Sequence, residues 1–475
     1  LCHGVFDLIH PGHLNHFNEA KSLSDILVIS ITSDNFVKKG FNKPYFNQQQ
    51  RLEFLCSLEM IDYVVIAESK SAIPIIKNLE PNFYFKGPDY RKESGDIAGN
   101  LKNELKELKK IKGKFLITSG ATLSSTKLMN TNFPDFNPVK KEIKNQIGSE
   151  VEKKKFLNQY ILTKKKLSNK KILILGEIII DEYCYCEPLG KPSKENIISV
   201  NYRNKKEFYG GIIPILNIVS QFSKNVTALS VYNKKKIDFQ NEIKKKMNLE
   251  FIKDAKFVDV KKTRFIHEKS FNKIFEYYNF DEKYPSNNKF KNFLKKKIKS
   301  FDIVIVADFG HGLIDNEVVK ILERAKKLCV NVQTNSGNRG FNLFTKFDKA
   351  FYLCIDEPEI RLGMSNNVDS LEKLILNKQN SKFENITITR GIEGQAFKKN
   401  KKIYKFPAIN KKVVDTIGAG DTLFAYSSCF LSVSANIVLS NLVGTVAGAL
   451  KTEIVGHENF VDEKKVFKYL YSLLK

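Results

Sequence analysis

The stretch from Val413 to Phe424, Val-Val-Asp-Thr-Ile-Gly-Ala-Gly-Asp-Thr-Leu-Phe, limits this chain's folding choices more than any other. A β-branched pair runs into a turn of small residues, and apolar residues return at helical spacing, so a helix starts at the glycines. Gly418, Ala419 and Gly420 leave backbone N–H groups bare at that start. Unpaired amides and the positive end of the helix dipole then face one spot, an anion cradle. Asp421 sits at its mouth, placed to take a proton from a hydroxyl that attacks a phosphoryl group. The letters alone equally suit a glycine-rich helix start with Asp421 as an ordinary first-turn acid.

The run Asp415-Thr416-Ile417-Gly418-Ala419-Gly420-Asp421 resembles the signature of the ribokinase-like carbohydrate kinases. The resemblance implies that Asp421 is the catalytic base, that Gly418, Ala419 and Gly420 form the anion hole, and that ATP and Mg²⁺ are the cofactors.

At 475 residues the chain exceeds one ordinary core, so two or three domains are expected. Its 42% hydrophobic and 27% charged residues describe a globular protein. No apolar run reaches the roughly 18 residues of a membrane span, and no basic-then-apolar leader opens the chain. The chain begins at Leu1, directly on a motif, so a trimmed natural start is expected. The net charge of +26 comes almost wholly from Lys, with only eight Arg. Basic residues are spread along the chain rather than gathered with aromatics on one element, so no nucleic-acid partner is expected. Attraction of anionic substrates is a by-product of that charge. Seven scattered cysteines, Cys184 and Cys186 among them on one strand, suit a reducing cytoplasm rather than a disulfide framework.

Near the start, Gly4-Val5-Phe6-Asp7-Leu8-Ile9-His10-Pro11-Gly12-His13 follows a first strand and opens an amphipathic helix with Leu14, Phe17 and Ala20 on one face. Two histidines three apart at a strand-to-helix turn can both point at one phosphate. This G-x-F-D-x-x-H-x-G-H run resembles the nucleotidyltransferase superfamily. There the two histidines stabilise the α-phosphate as pyrophosphate leaves, which is electrostatic catalysis. Carried over, His10 and His13 are catalytic, while Phe6, Gly12, Lys38, Lys39 and Arg51 surround the nucleotide. Ser124, Ser125 and Thr126 resemble the superfamily's second signature, a helix start that grips the triphosphate. Lys86, in a strand ending Lys-Gly, is assigned to substrate. Buried strands such as Ile26–Ile31 alternate with helices, which predicts a Rossmann-like doubly wound sheet over residues 1–130. ATP and CTP both remain open as its donor.

Residues 131–169, with Pro134 and Pro138 followed by a Lys- and Glu-rich helical stretch, read as a connector. From residue 170 to 475 the resemblance predicts a ribokinase-like α/β domain with a small β lid. Strand Ile172–Gly176 precedes Asp181, the position of a sugar-binding acid, with Glu177 where relatives carry Asp. Ile197–Phe208 suits a lid strand, and Tyr209-Gly210-Gly211 is expected to open an apolar helix. Gly210 and Gly211 would let backbone approach sugar. Pro214 stands where small residues and Asn are common, leaving Asn217 as the nearest amide. Arg264, after Lys262 and Thr263, resembles a contact to the substrate's own phosphate, suited by its planar fork. His311 replaces a usual Lys after strand Ile303–Ala307, and a helix carrying Val318, Val319, Leu322, Ala325 and Leu328 is expected next. Glu359 is expected to hold Mg²⁺ through water, and Asn441 to border the adenine pocket.

The pair of domains, α/β throughout, resembles the bacterial bifunctional heptose-7-phosphate kinase/heptose-1-phosphate adenylyltransferases with their domain order inverted. The resemblance implies a kinase that makes a sugar 1-phosphate and a nucleotidyltransferase that activates it. The partners are then a sugar phosphate and a nucleotide, with a second copy of the chain meeting it through the lid. CTP-dependent chemistry on another polyol phosphate and a degenerate sensor module are the rival expectations.

Overall fold

The computed structural model describes residues 1–37, 44–91, 100–119, 138–148, 150–233, 248–280, 287–399, 402–409 and 413–474. They divide into two compact units, residues 1–141 and 142–474. No helix among them is long and apolar enough to cross a membrane.

The first unit is a five-stranded sheet of β1 (Cys2–Gly4), β2 (Val28–Thr32), β3 (Tyr63–Ala67), β4 (Phe83–Lys86) and β5 (Lys114–Ile117). All pairs are parallel, in the order β3-β2-β1-β4-β5. Side chains of a strand alternate between faces, so a sheet covered on both sides needs apolar residues at consecutive positions. Ile29 and Phe85 lie in one core cluster with Phe17 and Leu55, while their neighbours Val28 and Tyr84 join Ile76 and Leu108 in another. The strand order reverses beside β1, and crevices for ligands form at the C-terminal ends of strands at such a point. The loop from Gly4 to His10 and the end of β4 at Lys86 meet there.

The second unit holds a nine-stranded sheet and a four-stranded lid. Strands β6 (Ile172–Gly176), β9 (Val226–Tyr232), β10 (Asn248–Lys253), β13 (Ile303–Asp308), β14 (Leu328–Val332), β15 (Ala350–Asp356) and β16 (Phe383–Thr389) run parallel. An antiparallel hairpin, β17 (Gln395–Lys399) and β18 (Lys402–Phe406), closes the edge. The order is β10-β9-β6-β13-β14-β15-β16-β17-β18. The lid pairs β7 (Ile178–Gly190), β8 (Ser199–Gly211), β11 (Val260–His267) and β12 (Lys273–Asn279) in the order β12-β11-β7-β8. The observed architecture is thus the expected one, a Rossmann-like unit and a ribokinase-like unit with a β lid.

Three local expectations change. The connector helix Glu150–Leu167 packs on the second unit: buried Tyr160 meets Phe430 and Phe467, and its hydroxyl donates to Glu463 at 2.8 Å. Tyr209, Gly210 and Gly211 finish β8, and the helix begins at Ile212. The helix expected to reach Leu328 stops at Leu322, and Leu328 is buried as the first residue of β14 beside Val304. Short apolar sets fit either period, so packing against the sheet decided the outcome.

Candidate active sites

In the first unit, His10 is the extended N-cap of the Pro11–Ser22 helix, and its carbonyl accepts from the amides of His13 at 2.8 Å and Leu14 at 3.2 Å. That turn brings the His10 and His13 rings into a stack with centroids 3.8 Å apart. Gly12 lies in the same first turn. Phe6 holds a left-handed φ of 47°, unusual for a residue with a β-carbon. Its ring meets His13 edge-on at 5.4 Å and Phe17 at 5.1 Å, which fixes the imidazole from beneath. Two imidazoles and a helix start therefore converge at the reversal of the sheet, as an anionic transition state requires. Lys86, half of the same crevice, sends its ammonium to the His3 carbonyl at 3.2 Å and lies 5.0 Å from the Tyr90 ring centre.

Arg51 corrects the expectation made for it. Its side chain is 0% exposed. It donates to the carbonyls of Phe46, Val5 and Thr32 at 3.1, 2.6 and 2.9 Å and to Asp34 at 2.7 Å. A guanidinium with four of its five N–H groups engaged and no exposed surface braces the loop after β1 rather than meeting a phosphate. His16 is a residue the sequence reading missed. Buried, it bonds Thr118 at 2.8 Å and is pushed down to about 4 by burial, then by the Lys86 charge, so it stays neutral. Lys38, Lys39, Ser124, Ser125 and Thr126 lie outside the described residues.

In the second unit Gly418 caps the Ala419–Ser434 helix at φ 75°, a left-handed turn that glycine adopts without strain. The Ala419 amide closes on the Thr416 carbonyl at 3.2 Å. The first-turn amides of Gly420 and Asp421 have no acceptor within the helix, and a β-carbon on Gly420 would have nothing within 4 Å. Asp421 accepts from the Gln333 side-chain amide at 2.6 Å. Burial pushes its carboxyl up to about 6, against the pull of that hydrogen bond and of the Lys262 and Lys451 ammoniums. A carboxylate poised near neutrality beside a helix start is what a general base needs.

Asp181, on β7, is buried facing the same group. Its Oδ1 accepts from Arg264 on β11, and its Oδ2 lies 3.6 Å from the Nε2 of His457. A β-carbon on Gly210 would stand 2.2 Å from that Oδ2, so the glycine makes room for the acid. Arg264 also reaches Glu276 at 3.0 Å, so an incoming phosphate meets an arginine already held by two carboxylates. Asp415 ties the lid to the glycine turn: it accepts from the Tyr183 hydroxyl at 2.7 Å and the Gly456 amide at 2.8 Å, and Lys273 lies at 3.1 Å. Gln333, Lys451 and His457 were not found from sequence. An isolated Gln, Lys or His carries no spacing signal, and only the fold brings these three to Asp421 and Asp181.

Three substrate, nucleotide and metal expectations are corrected here. Gly211 makes way for the Glu177 carbonyl, 2.1 Å from where its β-carbon would be, and so serves packing at the end of β8. Asn217 is the sixth residue of the Ile212–Val219 helix, and its carbonyl accepts from the Ser220 hydroxyl and the Gln221 side-chain amide. Asn441 is fully buried, accepting from Thr387 at 2.9 Å and donating to the Ile437 carbonyl, so it anchors a helix to β16 rather than lining a pocket. Glu359 is the reciprocal member of a capping box. Its oxygens accept the Thr334 and Asp356 amides at 2.9 and 2.7 Å. Burial, then Asp356, pushes it up to about 8. Both oxygens are thus taken by backbone amides, which ties the helix start to the loop after β14, and among the described residues no group of three His, Cys, Asp or Glu side chains could hold a metal ion. His311, buried against Phe280 and held near 4 by burial and then Lys262, is neutral and cannot repeat the charge of a lysine.

Comparison with known proteins agrees with this geometry. The cytidylyltransferase-like family profile matches residues 1–130, and the pfkB family carbohydrate kinase profile matches residues 170–456. The chain is 40% identical over 114 residues to the bifunctional protein HldE of Aliarcobacter butzleri, covering 23% of this chain and 24% of that protein. It is 43% identical over 89 residues to HldE of Helicobacter pylori, covering 18% and 19%. The chain thus spans a quarter or less of the length of the curated relatives it matches. Among solved structures, Escherichia coli phosphofructokinase-2 in complex with potassium covers 64% of this chain and 99% of its own, with a TM-score of 0.51 at 12% identity, a likeness of fold. Because the kinase profile runs through well over half of its residues, the chain belongs to the pfkB family of carbohydrate kinases.

Proposed function

We propose that the chain is a bifunctional enzyme: its second unit phosphorylates a sugar phosphate at the anomeric hydroxyl with ATP, and its first unit joins the sugar 1-phosphate to a nucleotide with loss of pyrophosphate. The observation that carries this reading is Asp421, a partly buried carboxyl raised to about 6 in the first turn of a helix that starts at a left-handed glycine. Asp421 takes the proton of the acceptor hydroxyl as it attacks the γ-phosphorus, and the amides of Gly420 and Asp421 meet the charge on the transferring group. Asp181 orients the acceptor. Mg²⁺, when bound with ATP, would shield the charge of the phosphates. In the first unit His10 and His13 stabilise the α-phosphate while the sugar 1-phosphate oxygen displaces pyrophosphate. HldE, named as a bifunctional protein, matches this chain over part of its length, which supports pairing the two activities.

A coupled assay for ADP with heptose 7-phosphate, on wild type and Asp421→Asn, tests the kinase half. Pyrophosphate release from ATP and from CTP with heptose 1-phosphate, on wild type and His13→Ala, tests the other and fixes the donor. A wild type silent in both overturns the reading. The lid exposes Leu189, Ile197, Ile198 and Tyr202, apolar surface that a second copy would cover, which light scattering at micromolar concentration checks.

A further inference from the structure

The segment after the last long helix of the kinase site is pinned with more care than a loop needs. Gly456 accepts at its carbonyl from the buried Lys451 ammonium and donates its amide to Asp415 at 2.8 Å. Its φ is 44°, and a β-carbon there would stand 2.9 Å from the Phe208 ring, so only glycine fits. The peptide units on both sides of Gly456 are thus each held by one hydrogen bond, which positions the next residue, His457.

What that clamp presents is an imidazole. The His457 side chain is 7% exposed and lies among the three parts of the kinase site. Its Nε2 is 3.6 Å from Asp181 Oδ2, and its ring lies 3.3 Å from where a β-carbon on Gly210 would be and 2.8 Å from where one on Gly418 would be. Its Nδ1 is buried and has no hydrogen-bond partner among the described residues. A buried polar atom without a partner is costly and calls for an explanation. Asp181 Oδ2 is the acceptor nearest Nε2, so the proton of the neutral ring is assigned to Nε2, and Nδ1, 3.4 Å from where a β-carbon on Gly418 would be, keeps its lone pair beside the glycine turn. Burial holds the ring far below its ordinary range, at about 4, so it stays a neutral acceptor at physiological pH.

We propose that His457 is a substrate-reading residue of the kinase site, whose Nδ1 accepts a hydrogen bond from a hydroxyl of the sugar phosphate between Asp181 and the Gly418 turn. The proposal rests on the kinase reading above for the identity of that ligand. It assigns to this site a contact that lies one residue beyond the segment matched by the kinase profile. Asp181 and His457 then hold neighbouring hydroxyls of one sugar, and Lys451 and Asp415 act through Gly456 as positioning residues.

The full chain is tested with ATP and heptose 7-phosphate, with fructose 6-phosphate as a second acceptor. In His457→Leu the KM for heptose 7-phosphate rises about tenfold or more while the KM for ATP is unchanged. His457→Asn, which returns an acceptor near the Nδ1 position, recovers most of that loss. In protein labelled with ¹³C-histidine, the Cε1 signal missing from His457→Leu moves on adding heptose 7-phosphate to wild type, and adding ATP leaves it in place. An unchanged KM in His457→Leu, or a parallel rise for sugar and ATP with no recovery in Asn, overturns the proposal. If wild type releases no ADP, the kinase reading fails, and the histidine signal alone decides: movement with the sugar phosphate sustains the contact, and no movement sinks it.

Discussion

Asp421 keeps its proton to about pH 6 because burial outweighs three groups that favour the charged form, Gln333, Lys262 and Lys451. A base works only when ionised, so kcat for ADP release falls as pH drops through about 6. Replacing Gln333 by Leu removes the 2.6 Å hydrogen bond to the carboxylate and raises that limb to higher pH. Asp421→Asn lowers kcat by about 10²–10⁴ with little change in the KM for ATP. The pH profile of kcat measured on the three proteins checks both. Arg51 is the opposite case, a charge that looks functional and is structural. Arg51→Met strips four hydrogen bonds from inside the first unit and leaves Asp34 without its ion-pair partner. A loss of about 3 kcal/mol or more is expected by denaturant titration, because charged hydrogen bonds are worth more than neutral ones.

At the level of the element, the glycine turn joins helix, lid and loop. Gly418 supplies the positive φ, and a β-carbon there would sit 2.8 Å from the His457 ring. Gly418→Ala therefore strains the backbone and pushes on the imidazole at once. ADP release falls at least tenfold in that variant, while Gly420→Ala, with nothing within 4 Å of its β-carbon, is affected through the phosphate alone. The KM values for ATP in the two variants separate these effects. The turn itself was legible in the sequence, because small residues before a returning apolar pattern mark a helix start, whereas its use as an anion cradle came only from the resemblance to the kinase signature. The strands were legible for a similar reason: continuous runs such as Ile303–Ala307 fit a sheet covered on both faces. Asn441 and Glu359 were misread because an amide or an acid at the right distance from a motif looks the same whether it faces a ligand or ties two elements together. Asn441 is held by Thr387 and Glu359 by the Thr334 amide, both distant in sequence, besides the Asp356 amide three residues before Glu359. His457 was invisible for the converse reason, since its neighbours Asp181, Gly210 and Gly418 come from three distant segments.

Across the whole chain, the boundary between units falls at residue 141, well before the first kinase strand at Ile172. A lysine-rich stretch with scattered apolar residues reads as a tether, and surface charge hid the single residue that decides otherwise. Tyr160 is buried between Phe430 and Phe467 at centroid distances of 4.7 and 5.0 Å, and its hydroxyl bonds Glu463, which also pairs with Lys164. Removing the Glu150–Leu167 helix would expose both phenylalanines and leave the buried Glu463 carboxylate without either partner. The loss of a large aromatic from a core costs about 3–5 kcal/mol, a large share of the stability of an ordinary domain. A fragment that begins at Pro138 is accordingly expected to fold with one cooperative transition and to keep kinase turnover. A fragment that begins at Lys170 should melt at a clearly lower temperature or stay insoluble, and Tyr160→Ala in the full chain should lower the kinase melting transition in the same direction. Equal melting temperatures for the two fragments, measured by calorimetry, would return the helix to the role of a connector.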